Sequence, residues 1–99
     1  MKLARVQPDI AVGAPCCKCD RTATRQVNLV TSSPEDVASL VVMLNNHGIK
    51  VIHPEDRLCI VILSVCPEHE EILDGFIQFV KANHKEITAE GLEALFAAS

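Results

Sequence analysis

Residues 58–65 read Leu-Cys-Ile-Val-Ile-Leu-Ser-Val, apolar on both alternating faces, and lead through Cys66-Pro67-Glu68-His69 into a stretch of helical periodicity. A strand of that character belongs inside a sheet covered on two sides, so the other elements are expected to gather around it. Its exit also presents a thiol and an imidazole three residues apart, on what reads as the first turn of a helix.

The preceding elements follow from their spacing. Residues 26–31 alternate as a strand with Val27 and Leu29 inward. Ser33-Pro34-Glu35-Asp36 opens a helix, with a capping serine, a proline at the first helical position and acids that complement the dipole. Val37, Leu40, Val41 and Leu44 recur as its buried stripe, and Gly48 is placed to end it in the left-handed conformation. Residues 49–52 read as a short strand, and His53-Pro54-Glu55-Asp56 as the turn into the central strand. From Pro67 a second helix is expected to about Asn83, with Ile72, Leu73, Phe76, Ile77, Phe79 and Val80 as its apolar face and Gly75 a weak point within it. Thr88 heads a short last helix that carries Leu92, Leu95 and Phe96. Residues 1–15, punctuated by Pro8, Gly13 and Pro15, read as a flexible arm or an edge strand.

The order is βαββα followed by the short helix. It predicts an α/β (α+β) chain, a two-layer sandwich with a small, mostly antiparallel sheet and helices on one face, as a single domain over residues 1–99. Two helices cover one face only. The N-terminal arm, the last helix or a second copy of the chain must cover the other, and a homodimer through the sheet is expected.

Composition narrows the function. The net charge is -4 and aromatics are 3%, with no Trp or Tyr. Nucleic acid is disfavoured, since it calls for a basic stripe and stacking side chains. No stretch approaches the roughly 18 apolar residues of a membrane span, and the first fifteen residues do not read as a signal peptide. Five cysteines cannot pair evenly, and Cys16, Cys17 and Cys19 crowd together. A reducing, cytoplasmic location is expected, with thiols free or bound to metal.

Cys16-Cys17-Lys18-Cys19 holds a Cys-x-x-Cys pair and Cys66-Pro67-Glu68-His69 a Cys-x-x-His pair, with 46 residues between Cys19 and Cys66. Zinc takes four such ligands in a tetrahedron, and pairs at this spacing let each short turn supply two. The candidate metal site is therefore Cys16, Cys19, Cys66 and His69, with Cys17 as a substitute ligand. Two other readings stand beside it. In one, the cysteines are simply buried or loose and His69 is solvated. In the other, Cys66 is a reactive thiol assisted by the helix terminus and His69. Cys59 reads as core, and His47 and His53 as solvated turn residues. Glu68, Glu70 and Glu71 suit a helix start without any catalytic role. No phosphate-binding glycine loop or Ser/His/Asp arrangement is present.

Two resemblances attach to these residues. The run CCKCD at residues 16–20, followed by CPEH at 66–69, is similar to the zinc motif of the small papillomavirus oncoproteins, which bind cellular partners. Here the spacer is longer and the last ligand would be histidine, so the likeness implies metal chemistry only. Residues 26–82, with SPEDVASLVVMLNNHGIKV, RLCIVILSV and PEHEEILDGFIQFV, resemble the C-terminal small domain of fold-type I pyridoxal-phosphate enzymes. Arg57 stands where those enzymes often place a carboxylate-binding arginine. The cofactor domain and its lysine are absent, so topology is implied and activity is not. Small ferredoxin-like regulatory domains share the pattern.

The expected function is a small, non-enzymatic, zinc-stabilised domain that binds a protein partner or itself. A metal-free ferredoxin-like regulatory or ligand-binding module is the first alternative, and a thiol or redox protein centred on Cys66 the second.

Overall fold

The computed structural model describes residues 1–97; the last two residues of the expected 1–99 domain lie outside the described part. Its sheet is three-stranded and antiparallel, with β1 (Leu3–Ile10), β2 (Arg25–Thr31) and β3 (Ile60–Val65) side by side in that order. Helix α1 (Pro34–Asn45) joins β2 to β3, and a 3-10 turn (Pro67–His69), α2 (Glu70–Ala82) and α3 (Ala89–Ala97) follow.

One face of the sheet supplies the core. Val27 and Leu29 of β2 stand opposite Leu63 and Val61 of β3, and all four are fully buried. They share a cluster with Leu40 and Leu44 of α1, Leu73 and Phe76 of α2, and Leu92 of α3. Period two on the strands meets period 3.6 on the helices, so one helix layer closes one sheet face. The α+β class and the antiparallel sheet agree with the sequence; the element order does not.

The expected strand at residues 49–52 is absent. That segment is divided between two neighbours: the Lys50 amide donates to the Cys17 carbonyl at 3.0 Å, while Ile52 forms a single bridge with Ile62. The N-terminal segment, read as a flexible arm or an edge strand, forms edge strand β1 on the other side of β2. The central position also shifts, because β2 lies in the middle and the apolar strand β3 on its flank. Strand β3 nevertheless keeps both sides occupied. Ile62 exchanges two hydrogen bonds with Ile52, at 2.9 and 2.7 Å, and the Ser64 carbonyl accepts from the Cys17 amide at 2.8 Å. Two fragments of backbone, at Cys17 and Ile52, thus stand beside β3 in place of the expected strand at residues 49–52.

The second sheet face is less apolar than the sequence suggests. Leu58 and Cys59 fall in the turn before β3, Leu58 exposed and Cys59 half-buried, so Cys59 is not core. The outward row on β3 is Ile60, Ile62 and Ser64, and on β2 it includes Gln26 and Asn28, which hydrogen-bond to each other at 3.0 Å. Helix α3 packs against α1 and α2 rather than on this face.

Strand β1 has an open edge that its sequence protects. The Ala11 amide donates to the Thr24 carbonyl, and that register puts residues 5, 7 and 9 in the hydrogen-bonded pairs with β2. Pro8 therefore turns its nitrogen, which has no hydrogen, to the open side, and the outward Ile10 amide is taken by the Asp9 carboxylate at 2.7 Å. A proline and a self-capped amide blunt the edge against pairing.

The helix ends follow the sequence at Gly48 and Thr88 but not at Ser33. At α1, Ser33 occupies the N-cap position with extended backbone, yet its side chain makes no capping hydrogen bond. Helix α1 stops where the Ile49 amide donates to the Leu44 carbonyl and the Gly48 amide to that of Asn45, with Gly48 at φ 73. Helix α2 ends in the same turn, Lys85 to Val80 and His84 to Lys81, but with His84 at φ 53 in the place of glycine. Thr88 does cap α3, its hydroxyl accepting from the Gly91 amide at 3.0 Å.

Candidate metal centre

The first half of the site is a miniature hairpin between β1 and β2. Pro15 bridges to Thr22, the Ala23 amide donates to the Ala14 carbonyl at 2.7 Å, and the Cys16 amide to that of Arg21 at 2.8 Å. The loop so closed carries Cys16 and Cys19. Its attachment to the sheet is the Cys17 amide on Ser64, two residues before Cys66 on the chain. Pairing of Cys17 with β3 is thus what carries the loop to the strand's end.

The second half depends on the 3-10 turn. The sequence predicts an α-helix from Pro67, but residues 67–69 wind tighter and α2 begins at Glu70. At three residues per turn, side chains i and i+3 eclipse, whereas an α-helix would leave them some 60° apart. The His69 amide closes the turn on the Cys66 carbonyl at 3.0 Å, and Cys66 Sγ lies 3.3 Å from His69 Nδ1.

The two halves meet. Cys16 Sγ is 3.6 Å from His69 Nδ1, and Cys19 Sγ is 3.7 Å from Cys66 Sγ. All four ligand atoms lie within 4.8 Å of one another. Zinc with sulfur at about 2.3 Å and nitrogen at about 2.0 Å spaces its ligands about 3.5–3.8 Å apart along tetrahedral edges. Cysteines at 3.7 Å are not a disulfide, whose sulfurs stand about 2.05 Å apart. These residues could hold a metal ion.

The electrostatics suit a thiolate at Cys16. Burial acts to raise the Cys16 thiol, but the amides of Lys18 and Cys66 and the side chains of Cys66 and Cys19 outweigh it and bring it down to about 6. At Cys19 the Arg21 amide lowers the thiol, while burial and the neighbouring Cys66 and Cys16 raise it on balance. The lowered Cys16 thiol and the raised Cys19 thiol are two sides of one interaction, since a thiolate at one sulfur disfavours a thiolate at its neighbour. Arg21 forms an ion pair with Glu68 that clasps the loop to the 3-10 turn, and its guanidinium also feels Cys19 and Cys66.

The remaining candidates lie elsewhere. Cys17 is 1% exposed, packs in the main core, and burial pushes its thiol up to about 12, so it does not replace Cys16 or Cys19 in the cluster. His47 stacks against Phe96 with ring centroids 5.4 Å apart. His53 is exposed, and Arg57 lies exposed in the turn before β3. The Arg21–Glu68 clasp and the Cys17–Ser64 attachment have no signature in the sequence, since a single charged pair and a backbone contact leave no spacing signal.

No protein-family model, curated protein or solved structure matches this chain, so the two resemblances rest on their residues alone.

Proposed function

We propose that this chain is a zinc-stabilised interaction domain, non-enzymatic, in which Cys16, Cys19, Cys66 and His69 hold one zinc ion. The observation that carries the reading is the convergence of three thiols and one imidazole within 4.8 Å, from two segments 46 residues apart. Four protein ligands leave no coordination position open for substrate, which is the pattern of structural rather than catalytic zinc. Three thiolates, a neutral imidazole and a divalent ion sum to a single negative charge, which the Arg21 guanidinium, paired chiefly with Glu68, also feels through Cys19 and Cys66.

The zinc would fasten the loop at residues 16–19 to the start of the second helical segment, and with it the flank of β3. The half-buried Ile60 and Ile62 on the outward sheet face are the surface proposed to receive a second copy or another protein. A reducing cytoplasmic setting would keep the ligand cysteines as thiolates. No helix among the described residues is long and apolar enough to cross a membrane.

A thiol enzyme is the second reading; the sequence centres it on Cys66, whereas the thiol that the surroundings lower is Cys16. Cys16 is 2% exposed and Cys66 fully buried, however, and a reacting thiol must be reached by its substrate. Metal analysis of the purified chain, with thiol counting before and after a chelator, decides between zinc and thiol chemistry. About one zinc per chain is expected, with Cys16, Cys19 and Cys66 resisting alkylation until the metal is removed. A metal-free chain with one fast-alkylating cysteine would sink the zinc reading.

A further inference from the structure

The sheet is wider than the helix layer above it. Helices α1 and α2 pack on β2 and β3. Strand β1 extends past them, with Val6 and Pro8 opposite the buried Leu29 and Val27 and so on the same face. Between this strip and the C-terminal half of α2 runs a groove of about 520 Å³, walled by Val6, Pro8, Ile77 and Val80 and rimmed by Lys2, Lys81, His84 and Lys85. That volume is within the range of small-ligand pockets.

The charge on the rim is out of keeping with the chain. The net charge is -4, yet three of the five lysines stand here and no acid lines the groove. Among the described residues none of the three is in an ion pair. Glu86, which bridges to Lys2, gives its carboxylate to the Met1 nitrogen at 3.1 Å, and Asp9 gives its own to the Ile10 amide. The dipole of α2 favours cations at Lys81 and Lys85. It does not explain Lys2, which arrives from the strand side, nor the left-handed His84. Where α1 closes with Gly48, α2 keeps a histidine at φ 53 followed by Lys85 at φ 65. Side chains kept in a conformation that disfavours them point to a use for those side chains.

We propose that this groove binds a small amphipathic anion, an alkyl chain bearing a carboxylate or phosphate head. The chain lies on Val6, Pro8, Ile77 and Val80, and the head sits among Lys2, Lys81, His84 and Lys85. An added peptide strand does not fit, because Pro8 and the capped Ile10 amide blunt the edge it would need. The site is separate from the cysteine cluster and stands whether or not that cluster holds zinc.

The test is titration of the full chain with decanoate and with decyl phosphate, followed by amide chemical shifts and calorimetry. Decanol, decyltrimethylammonium and inorganic phosphate serve as controls. Binding of one or both anions is expected, with shifts centred on Val6, Ile77, Val80 and Lys85. Decanol, the cation and free phosphate should bind at least about tenfold more weakly, a difference that the head and the chain must supply together. The variants K2Q and K85Q, checked for an unchanged melting curve, should each weaken the anion, and together by about tenfold or more. Equal binding of decanol and decanoate, shifts elsewhere, or affinity untouched by the lysine variants would overturn the proposal. So would a concentration-dependent dimer that shifts these same amides, since a second copy would then be the occupant.

Discussion

Single residues decide whether the cysteine cluster is one site or four unrelated side chains. Cys19 and Cys66 come from different turns and meet at 3.7 Å. If they share an ion, either change alone removes it. Cys19→Ser and Cys66→Ser should then each destabilise by about 3 kcal/mol with zinc at roughly a hundred times its dissociation constant. The double variant should be no worse than either single one, as read by urea denaturation. Small, additive losses would count against a shared ion. His84 gives the opposite sign. It holds the left-handed position that glycine takes in α1, at a cost of about 1 kcal/mol. His84→Gly should stabilise by that amount and raise the denaturation midpoint, and an unchanged or lower midpoint would show that the imidazole contributes to the fold.

At the scale of elements, two glycines in helices behave differently because of what stands beside them. A Cβ at Gly75 of α2 would meet only Leu95 Cδ1, at 3.9 Å, an ordinary contact. Gly75→Ala should therefore stabilise by about 0.5–1 kcal/mol through backbone entropy. A Cβ at Gly91 of α3 would come within 2.8 Å of the Phe79 ring and 2.9 Å of the Thr88 hydroxyl that caps the helix. Gly91→Ala should destabilise despite alanine's better helix propensity, and thermal melts of the two variants compare the signs directly. Strand β1 offers a further test. Pro8→Val restores an outward amide in the middle of an exposed edge, and self-association visible by light scattering should follow.

For the whole molecule, the loop at residues 16–19 is held to β3 by the Cys17 amide, by the Arg21–Glu68 ion pair and, with the proposed ion bound, by zinc. The ion pair is exposed and screened by solvent, so it fastens the loop only weakly. Most of the fastening is then the metal's, and a chelator should lower the melting temperature by more than about 10 °C for a domain of this size. The 3-10 turn and residues 18–19 of the loop should lose amide protection first, since the core cluster takes only Cys17 from the loop and nothing from the turn. A melting curve indifferent to chelator would leave a domain held by its aliphatic core alone.

Much of this was legible in the chain itself. The stripe Val37, Leu40 and Leu44, the glycine stop at Gly48, the cap at Thr88 and the Cys-x-x-Cys and Cys-x-x-His pairs that meet in the cluster all carry local periods or spacings, and such signals need only a few neighbouring residues to take effect. Tertiary structure alone decided the rest. Which strand lies in the middle, why residues 49–52 divide between Cys17 and Ile62, and why Pro67 opens a tight turn instead of an α-helix depend on backbone partners dozens of residues away. Hydrogen bonds between distant main-chain groups carry no side-chain signature, so the pairing that brings the two halves of the cluster together exists only in the folded chain.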